Sequence, residues 1–364
     1  MNYKLLYQWE AEVTGHLSCL NSWQGANVAL FSYGVVKAES CQQGQVARQV
    51  CCGEGVESAA RRWRRFLGND DFPLDEFFLS WCAWVVSALG QTELTLLVDE
   101  TKVHDRIGVM MVGLAWEGRC IPLAWRTYRA NSAQDYPAEG QVGMIAGLLQ
   151  RVKDGLPEAV RVLVLADRGI GTSPDLCRAV AALGWRYLFR VTCQTKVVSA
   201  DGDYTIAQQV QPGEIWAMSG SVFKKRGQIP AHARALWSLG YDEPWALVTN
   251  DAHLTGYEYA RRNWQEQSFR DLKSGGWHWG ESRVRHPEHM ARLLVLLTLA
   301  YAWVLALGSQ AVASGRAQPL VKRADGTRRR LWSLFKEGLR FFAEYVQRYT
   351  VCLGLSFLPD RRFT

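Results

Sequence analysis

No two of the nine cysteines stand in a C-x-x-C pair, and the odd total suits neither a disulfide framework nor a zinc ribbon. They read as small buried hydrophobes in a reducing compartment, the vicinal Cys51-Cys52 included. Long apolar runs are also missing. Phe77–Gly90 and Leu293–Gly308 fall short of the roughly 18 residues that suggest a spanning helix, and read as core helices. Met1-Asn2-Tyr3-Lys4 opens no charged-then-apolar secretory signal, so the expected location is the cytoplasm, with no membrane partner. There is no internal repeat and no low-complexity tract. His286-Pro-Glu-His289 has no second ligand pair nearby, which argues against a structural metal there. Gly169-Ile-Gly171 lacks the P-loop lysine and reads as a turn before a helix. No Ser/His/Asp or Cys/His arrangement stands out.

What is present is a chain of 364 residues, 48% hydrophobic and 21% charged, with room for one large domain or two to three smaller ones. Its net charge of +7 is concentrated: residues 311–364 hold eleven Lys/Arg against four Asp/Glu, and the preceding residues balance. Such a segment points to a polyanion partner, nucleic acid or an anionic surface, or else to a solvated face. A second basic stretch lies at residues 59–68, where Arg61, Arg62, Arg64 and Arg65 flank Trp63. As a helix it offers either a phosphate-binding face or an ordinary capped surface.

From residue 94 the pattern becomes that of strands. Leu94–Val98 ends at Asp99, and Gly108–Trp116 and Cys120–Trp125 follow around a Glu-Gly-Arg turn, predicting a three-strand meander. Gln141–Lys153 predicts a helix, Val160–Ala166 a strand ending at Asp167, Pro174–Leu183 a helix and Trp185–Val191 a strand. That order predicts a mixed α/β sheet flanked by helices. Residues 192–245 read as a small β insertion, Trp245–Asn250 as a returning strand and Tyr257–Ser274 as a polar helix stopped by Gly275-Gly276. Pro287–Gly308 reads as a long apolar helix and Arg328–Tyr349 as a terminal basic amphipathic helix. The expected division is a mostly helical, DNA-binding region over 1–90, a core over 91–191 and 246–310 interrupted by the insertion at 192–245, and a basic helical region over 311–364.

Asp99 and Asp167 each close an apolar strand, the place where ligand and catalytic groups of α/β sheets gather. Each alone could merely begin a turn. Two neighbouring carboxylates repel unless a cation lies between them, and a hard divalent ion accepts oxygen ligands readily, so Mg²⁺ is the expected cofactor. Two such ions would serve in-line phosphodiester displacement, for which a third acid is wanted. At about 100° per residue, Tyr259, Arg262, Glu266 and Lys273 share a stripe about 60° wide over about 21 Å. That stripe could hold metal through Glu266 and grip a nucleic-acid strand through the other three. It could equally be a surface carrying an i,i+4 ion pair.

Tyr259-x2-Arg262-x3-Glu266-x6-Lys273 resembles the Y-x2-R-x3-E-x6-K signature of insertion-sequence DDE transposases, in the cut-and-paste group whose RNase H-like core carries a β insertion. Val98-Asp99-Glu-Thr, Ala166-Asp167-Arg168-Gly169 and Phe269-Arg-Asp-Leu-Lys273 are similar to that family too, and the likeness spans roughly residues 94–345. It implies Asp99, Asp167 and Glu266 as catalytic ligands of Mg²⁺, with Mn²⁺ as a substitute. It also implies Tyr259, Arg262, Lys273 and Arg168 as DNA contacts. Arg61, Arg62, Arg64, Arg65, Arg328, Arg329 and Arg330 would add phosphate contacts. Trp237 and Trp245 are candidates to stack on distorted DNA, and core positions are the alternative for both. The implied activity is cleavage of element ends and their joining to target DNA at the bacterial nucleoid, by at least a homodimer because two ends must be paired. A DNA-binding descendant without nuclease activity, or a structure-selective nuclease on the same core, are the alternatives. The first 70 residues match no helix-turn-helix pattern.

Overall fold

A computed structural model of the chain describes residues 2–359 apart from 52, 54, 133, 226, 323–325 and 327. Five helices precede the sheet: α1 (Tyr3–His16), α2 (Ser22–Ala38), α3 (Gln43–Val50), α4 (Val56–Leu67) and α5 (Leu74–Leu89). Asn2 caps α1 by accepting from the Leu5 amide, and Asn21 with Gln24 forms a reciprocal capping box on α2. On α4 the apolar residues Trp63, Phe66 and Leu67 turn inward, which leaves its arginines on the other side.

The sheet follows: β1 (Glu93–Val103), β2 (Ile107–Trp116), β3 (Arg119–Arg129), helix α6 (Gly140–Asp154), β4 (Arg161–Ala166), the short α7 (Arg168–Gly171), α8 (Pro174–Ala182) and β5 (Arg186–Arg190). Then come β6 (Lys196–Ser199), β7 (Gly202–Thr205), β8 (Ile215–Val222), β9 (Ile229–Leu236) and β10 (Trp245–Thr249). All ten form one sheet in the order β3-β2-β1-β4-β5-β10-β9-β8-β6-β7. β1, β4 and β5 run parallel, and the meander and the insertion strands pair antiparallel. The expected insertion is therefore continuous with the core, because β10 pairs with β5 on one side and β9 on the other.

Strand alternation gives the sheet two apolar faces. Leu96, Val98, Val164, Ala166, Phe189 and Val248 join the principal core under the helices. Leu97, Leu163, Leu165, Leu188 and Leu247 form a second, leucine-rich cluster with Leu254 and Tyr259. β1 does not end at Asp99 as the apolar run suggests. It continues to Val103, because its pairing with β2 runs on through Asp99↔Met111 to Val103↔Ile107.

After a two-turn 3₁₀ segment (Tyr257–Arg262) come α9 (Asn263–Leu272) and α10 (Pro287–Ala313). The polar helix expected over 257–274 is thus a 3₁₀ segment running into an α-helix. α10 is 27 residues long, and its most apolar 18-residue stretch has a mean hydropathy of 2.0, enough by length and composition to cross a membrane, yet that stretch is wholly buried inside the fold. Trp303 stacks on Trp9 of α1 at 4.1 Å, and the Trp125 indole donates to the Ala291 carbonyl at 3.0 Å. One helix over Arg328–Tyr349 is corrected. Arg328–Arg330 is a strand, β12, paired with β11 (Leu320–Lys322), and helix resumes only at α11 (Leu334–Phe341), capped by Ser333. A π turn (Phe342–Val346) and α12 (Gln347–Tyr349) complete it. The strand depends on a partner across a loop, which local periodicity does not report. α11 crosses α10 through glycines: a Cβ on Gly338 would lie 1.8 Å from the Val304 carbonyl oxygen, and one on Gly308 2.1 Å from that of Leu334.

Candidate active site

The parallel register decides where the two aspartates fall. Leu97 pairs with Leu165 and Val98 with Ala166, so Asp99 on β1 lies beside Asp167, the residue that follows β4 and caps α7. Two-residue alternation from Leu97 and Leu165 points both onto the leucine-rich face. The segment from Tyr257 to Lys273 lies across that face and touches one row of β1. Arg261 donates to Thr95 Oγ1 at 2.9 Å, Arg262 pairs with Asp99, and Lys273 Nζ donates to Thr101 Oγ1 at 2.7 Å.

Arg262 is the centre of the constellation. Its Nη2 lies 2.9 Å from Asp99 Oδ2 and 3.4 Å from Asp167 Oδ2, and its Nη1 donates to Glu266 Oε1. The other oxygen of each aspartate is fixed by backbone: Asp99 Oδ1 accepts from the Glu100 amide at 2.9 Å, and Asp167 Oδ1 caps α7 by accepting from Ile170 at 3.0 Å. The side chains of Arg262 and Asp99 are each 11% exposed, whereas Glu266 is 57% exposed. Burial, with Asp167 and Glu266 close by, pushes the Asp99 carboxyl up to about 6 against the pull of Arg262. Burial works against the charge of Arg262, but Asp99, Tyr259, Asp167 and Glu266 together hold its pKa above the ordinary value. Lys273 is lowered by burial, against the opposing pull of Asp99. The i,i+4 pair of Arg262 and Glu266 exists, then, but it is one edge of a group that includes both strand aspartates.

The remaining expected residues are placed unevenly. Tyr259 is buried in the leucine-rich cluster, edge-on to Trp245 at 5.1 Å, and burial lifts its hydroxyl to about 12. Trp237 donates to the Tyr241 carbonyl at 2.8 Å. Arg168 pairs with Glu243 at 3.3 Å, a carboxylate that Arg190 shares at 2.5 Å. Arg61, Arg64 and Arg65 are exposed on α4, with Arg64 3.1 Å from Glu57, while Arg62 Nε donates to Asn27 at 2.6 Å. Arg330 faces Glu117 at 3.9 Å, and the side chains of Arg328 and Arg329 lie outside the described residues.

Sequence reasoning missed what holds α9 in place. Ser268 Oγ accepts from the Cys120 amide at 2.7 Å, the single hydroxyl proton of Tyr301 is shared between Ser268 (3.0 Å) and Asp271 (3.1 Å), and Arg119 Nε reaches Asp271 Oδ2 at 2.5 Å. These partners dock the buried face of α9 against β3 and leave Glu266 toward the aspartates. The 3-residue spacing of Ser268 and Asp271 was the signal available.

Among the described residues no three His, Cys, Asp or Glu side chains stand close enough to form a metal-ligand group, because the acids are spread round Arg262. The donor chemistry nevertheless fits a hard divalent cation: all three side chains offer oxygen, and two of them already share one positive charge through their Oδ2 atoms. Residues 129–303 match a family model described as the transposase DDE domain. The match takes in Asp167, Tyr259, Arg262, Glu266 and Lys273, and Asp99 precedes it. Comparison with curated proteins found no match.

Proposed function

We propose that this chain, whose residues 129–303 match the transposase DDE domain, cuts insertion-sequence ends and joins them to target DNA. Asp99, Asp167 and Glu266 are the proposed ligands of Mg²⁺ or Mn²⁺. When bound, such ions supply charge stabilisation at the attacking and leaving oxygens of phosphodiester displacement. The single observation that carries this reading is the convergence of three carboxylates, Asp99 on β1, Asp167 just past β4 and Glu266 on α9, on the guanidinium of Arg262.

The chain's own contribution is position and charge. Backbone amides of β1 and α7 fix the aspartates through a hydrogen bond to one oxygen each, leaving the second oxygen directed into the site. Lys273, held by Thr101, brings a second cation to the margin of the acids, where a strand phosphate would lie. Tyr259 supports Arg262 from the leucine-rich cluster rather than standing free for DNA. The exposed arginines of α4 offer distributed phosphate contacts. Pairing of two element ends would take two copies of the chain.

The test is a cleavage-and-joining assay on the DNA flanking the coding sequence, with Mg²⁺ or Mn²⁺. Glu266→Gln, Asp99→Asn and Asp167→Asn should each lose several orders of magnitude in cleavage while DNA binding persists. Substantial Mg²⁺-dependent cleavage by Glu266→Gln would remove the third acid from the assignment. Cleavage by the unaltered chain without any joining would favour the nuclease alternative.

A further inference from the structure

Arg262 cannot do two things at once. Its guanidinium touches all three acids, yet it supplies one positive charge against three negative ones. It is also imperfectly seated: Nε is buried with no hydrogen-bond partner, which is costly for a polar group away from water. The side chain leaves the backbone where the 3₁₀ segment Tyr257–Arg262 passes into α9. A side chain held by charge and short of one partner is poised to change partners. Two partners compete for what it holds. A divalent cation competes for the Oδ2 atoms of Asp99 and Asp167, and a DNA phosphate competes for the guanidinium.

We propose that Arg262 is a resident counter-ion that blocks the acids in the free protein, and that a DNA phosphate draws it away so that DNA and divalent metal bind with positive coupling. This rests on the transposase reading above and adds to it a safeguard: without DNA the oxygens that would hold the metal are already engaged by a charge from within. By linkage, the factor by which DNA raises metal affinity equals the factor by which metal raises DNA affinity.

The experiment compares the full chain with Arg262→Gln and Arg262→Lys by titration calorimetry with Mn²⁺ in the absence of DNA. Arg262→Gln should bind Mn²⁺ at least tenfold more tightly than the unaltered chain, and its thermal midpoint should rise more on adding Mn²⁺. Arg262→Lys keeps the charge in a single ammonium that cannot span three carboxylates, so its affinity should fall between the two, and it serves if Arg262→Gln folds poorly. In a second arm, anisotropy of a labelled 20-base-pair duplex is read with and without Ca²⁺. Ca²⁺ should tighten the complex fivefold or more for the unaltered chain and not for Arg262→Gln. Equal Mn²⁺ affinity in the unaltered chain and Arg262→Gln overturns the blocking role while leaving the transposase reading intact. Absence of Mn²⁺ binding in every variant, with or without DNA, overturns the metal reading and this inference together. Mn²⁺ binding by Arg262→Gln that survives a further Glu266→Gln and Asp99→Asn change has the same consequence, since the ion then sits elsewhere.

Discussion

Removing Asp271 tests whether α9 is anchored as described. Arg119 Nε and Asp271 Oδ2 meet at 2.5 Å with side chains 14% and 10% exposed, so this is a buried pair. Breaking such a pair from one side costs roughly 3–5 kcal/mol, because a charge is left buried without a partner. In Asp271→Ala the stranded group is Arg119, which keeps its hydrogen bond to the Gly118 carbonyl and some access to water. Tyr301 keeps Ser268. The expected loss is therefore at the lower end, about 3 kcal/mol, read from urea denaturation followed by fluorescence. Pairing Asp271→Leu with Arg119→Met should return stability to within about 1 kcal/mol, since well-packed apolar substitutes commonly match a buried ion pair.

The pH dependence of that difference adds a second check. Burial holds the Asp271 carboxyl above the usual range in spite of Arg119 and Tyr301. A carboxyl raised on folding favours the folded state below its unfolded value of about 3.9, and that contribution is lost as pH rises through the raised value. The double variant lacks it, so it should compare more favourably with the unaltered chain at neutral pH than near pH 4. A loss below 1 kcal/mol in Asp271→Ala would refute the anchoring argument.

Three further outcomes are expected. Gly338→Ala should lower stability by about 3 kcal/mol or more in the same denaturation assay, since its methyl would fall on the Val304 carbonyl and force α10 and α11 apart. DNA affinity should fall steeply with salt. Replacing Arg61 and Arg65 with Gln should make the slope of log K against log salt shallower by about 0.9 for each phosphate no longer neutralised, and an unchanged slope would take α4 out of the interface. Chelation with EDTA should abolish cleavage and leave DNA binding measurable by gel shift, whereas cleavage persisting in EDTA would contradict metal dependence.

Much of this site was legible because its signals are local. An apolar β run closed by an acid marks Asp99 and Asp167 without knowledge of the fold, and the helical stripe brings Glu266 to Arg262 by spacing alone. What pairs across the chain was not legible. Periodicity could not say that Asp99 and Asp167 lie side by side, since that depends on the β1–β4 register. Nor could it say that Arg262 would face both aspartates as well as Glu266. Tyr259 looks like a surface aromatic among polar neighbours, and only the packing of the leucine-rich face shows why it is buried. Arg328–Arg330 reads as helical by composition and is a strand because Leu320–Lys322 lies opposite it. The sequence of the expected insertion shows β pieces, but its continuity with the parallel strands of the core rests on β10 having a neighbour on each side.

The burial of α10 bears on how the chain is made. Ribosomal synthesis proceeds from the N-terminus, so α1 and α2 leave the ribosome long before the helix against which Trp9 stacks. Until residues through Ala313 have been translated, the early helices can pack on one another, as Phe31 does on Trp63, but the surfaces that face α10 have no native partner, and when α10 emerges it is as apolar as a membrane segment. Nascent chains should therefore call on chaperones late and heavily. A gene copy interrupted before codon 313 would yield an unfolded fragment, cleared by proteolysis, rather than a truncated protein able to occupy DNA in competition with the intact one.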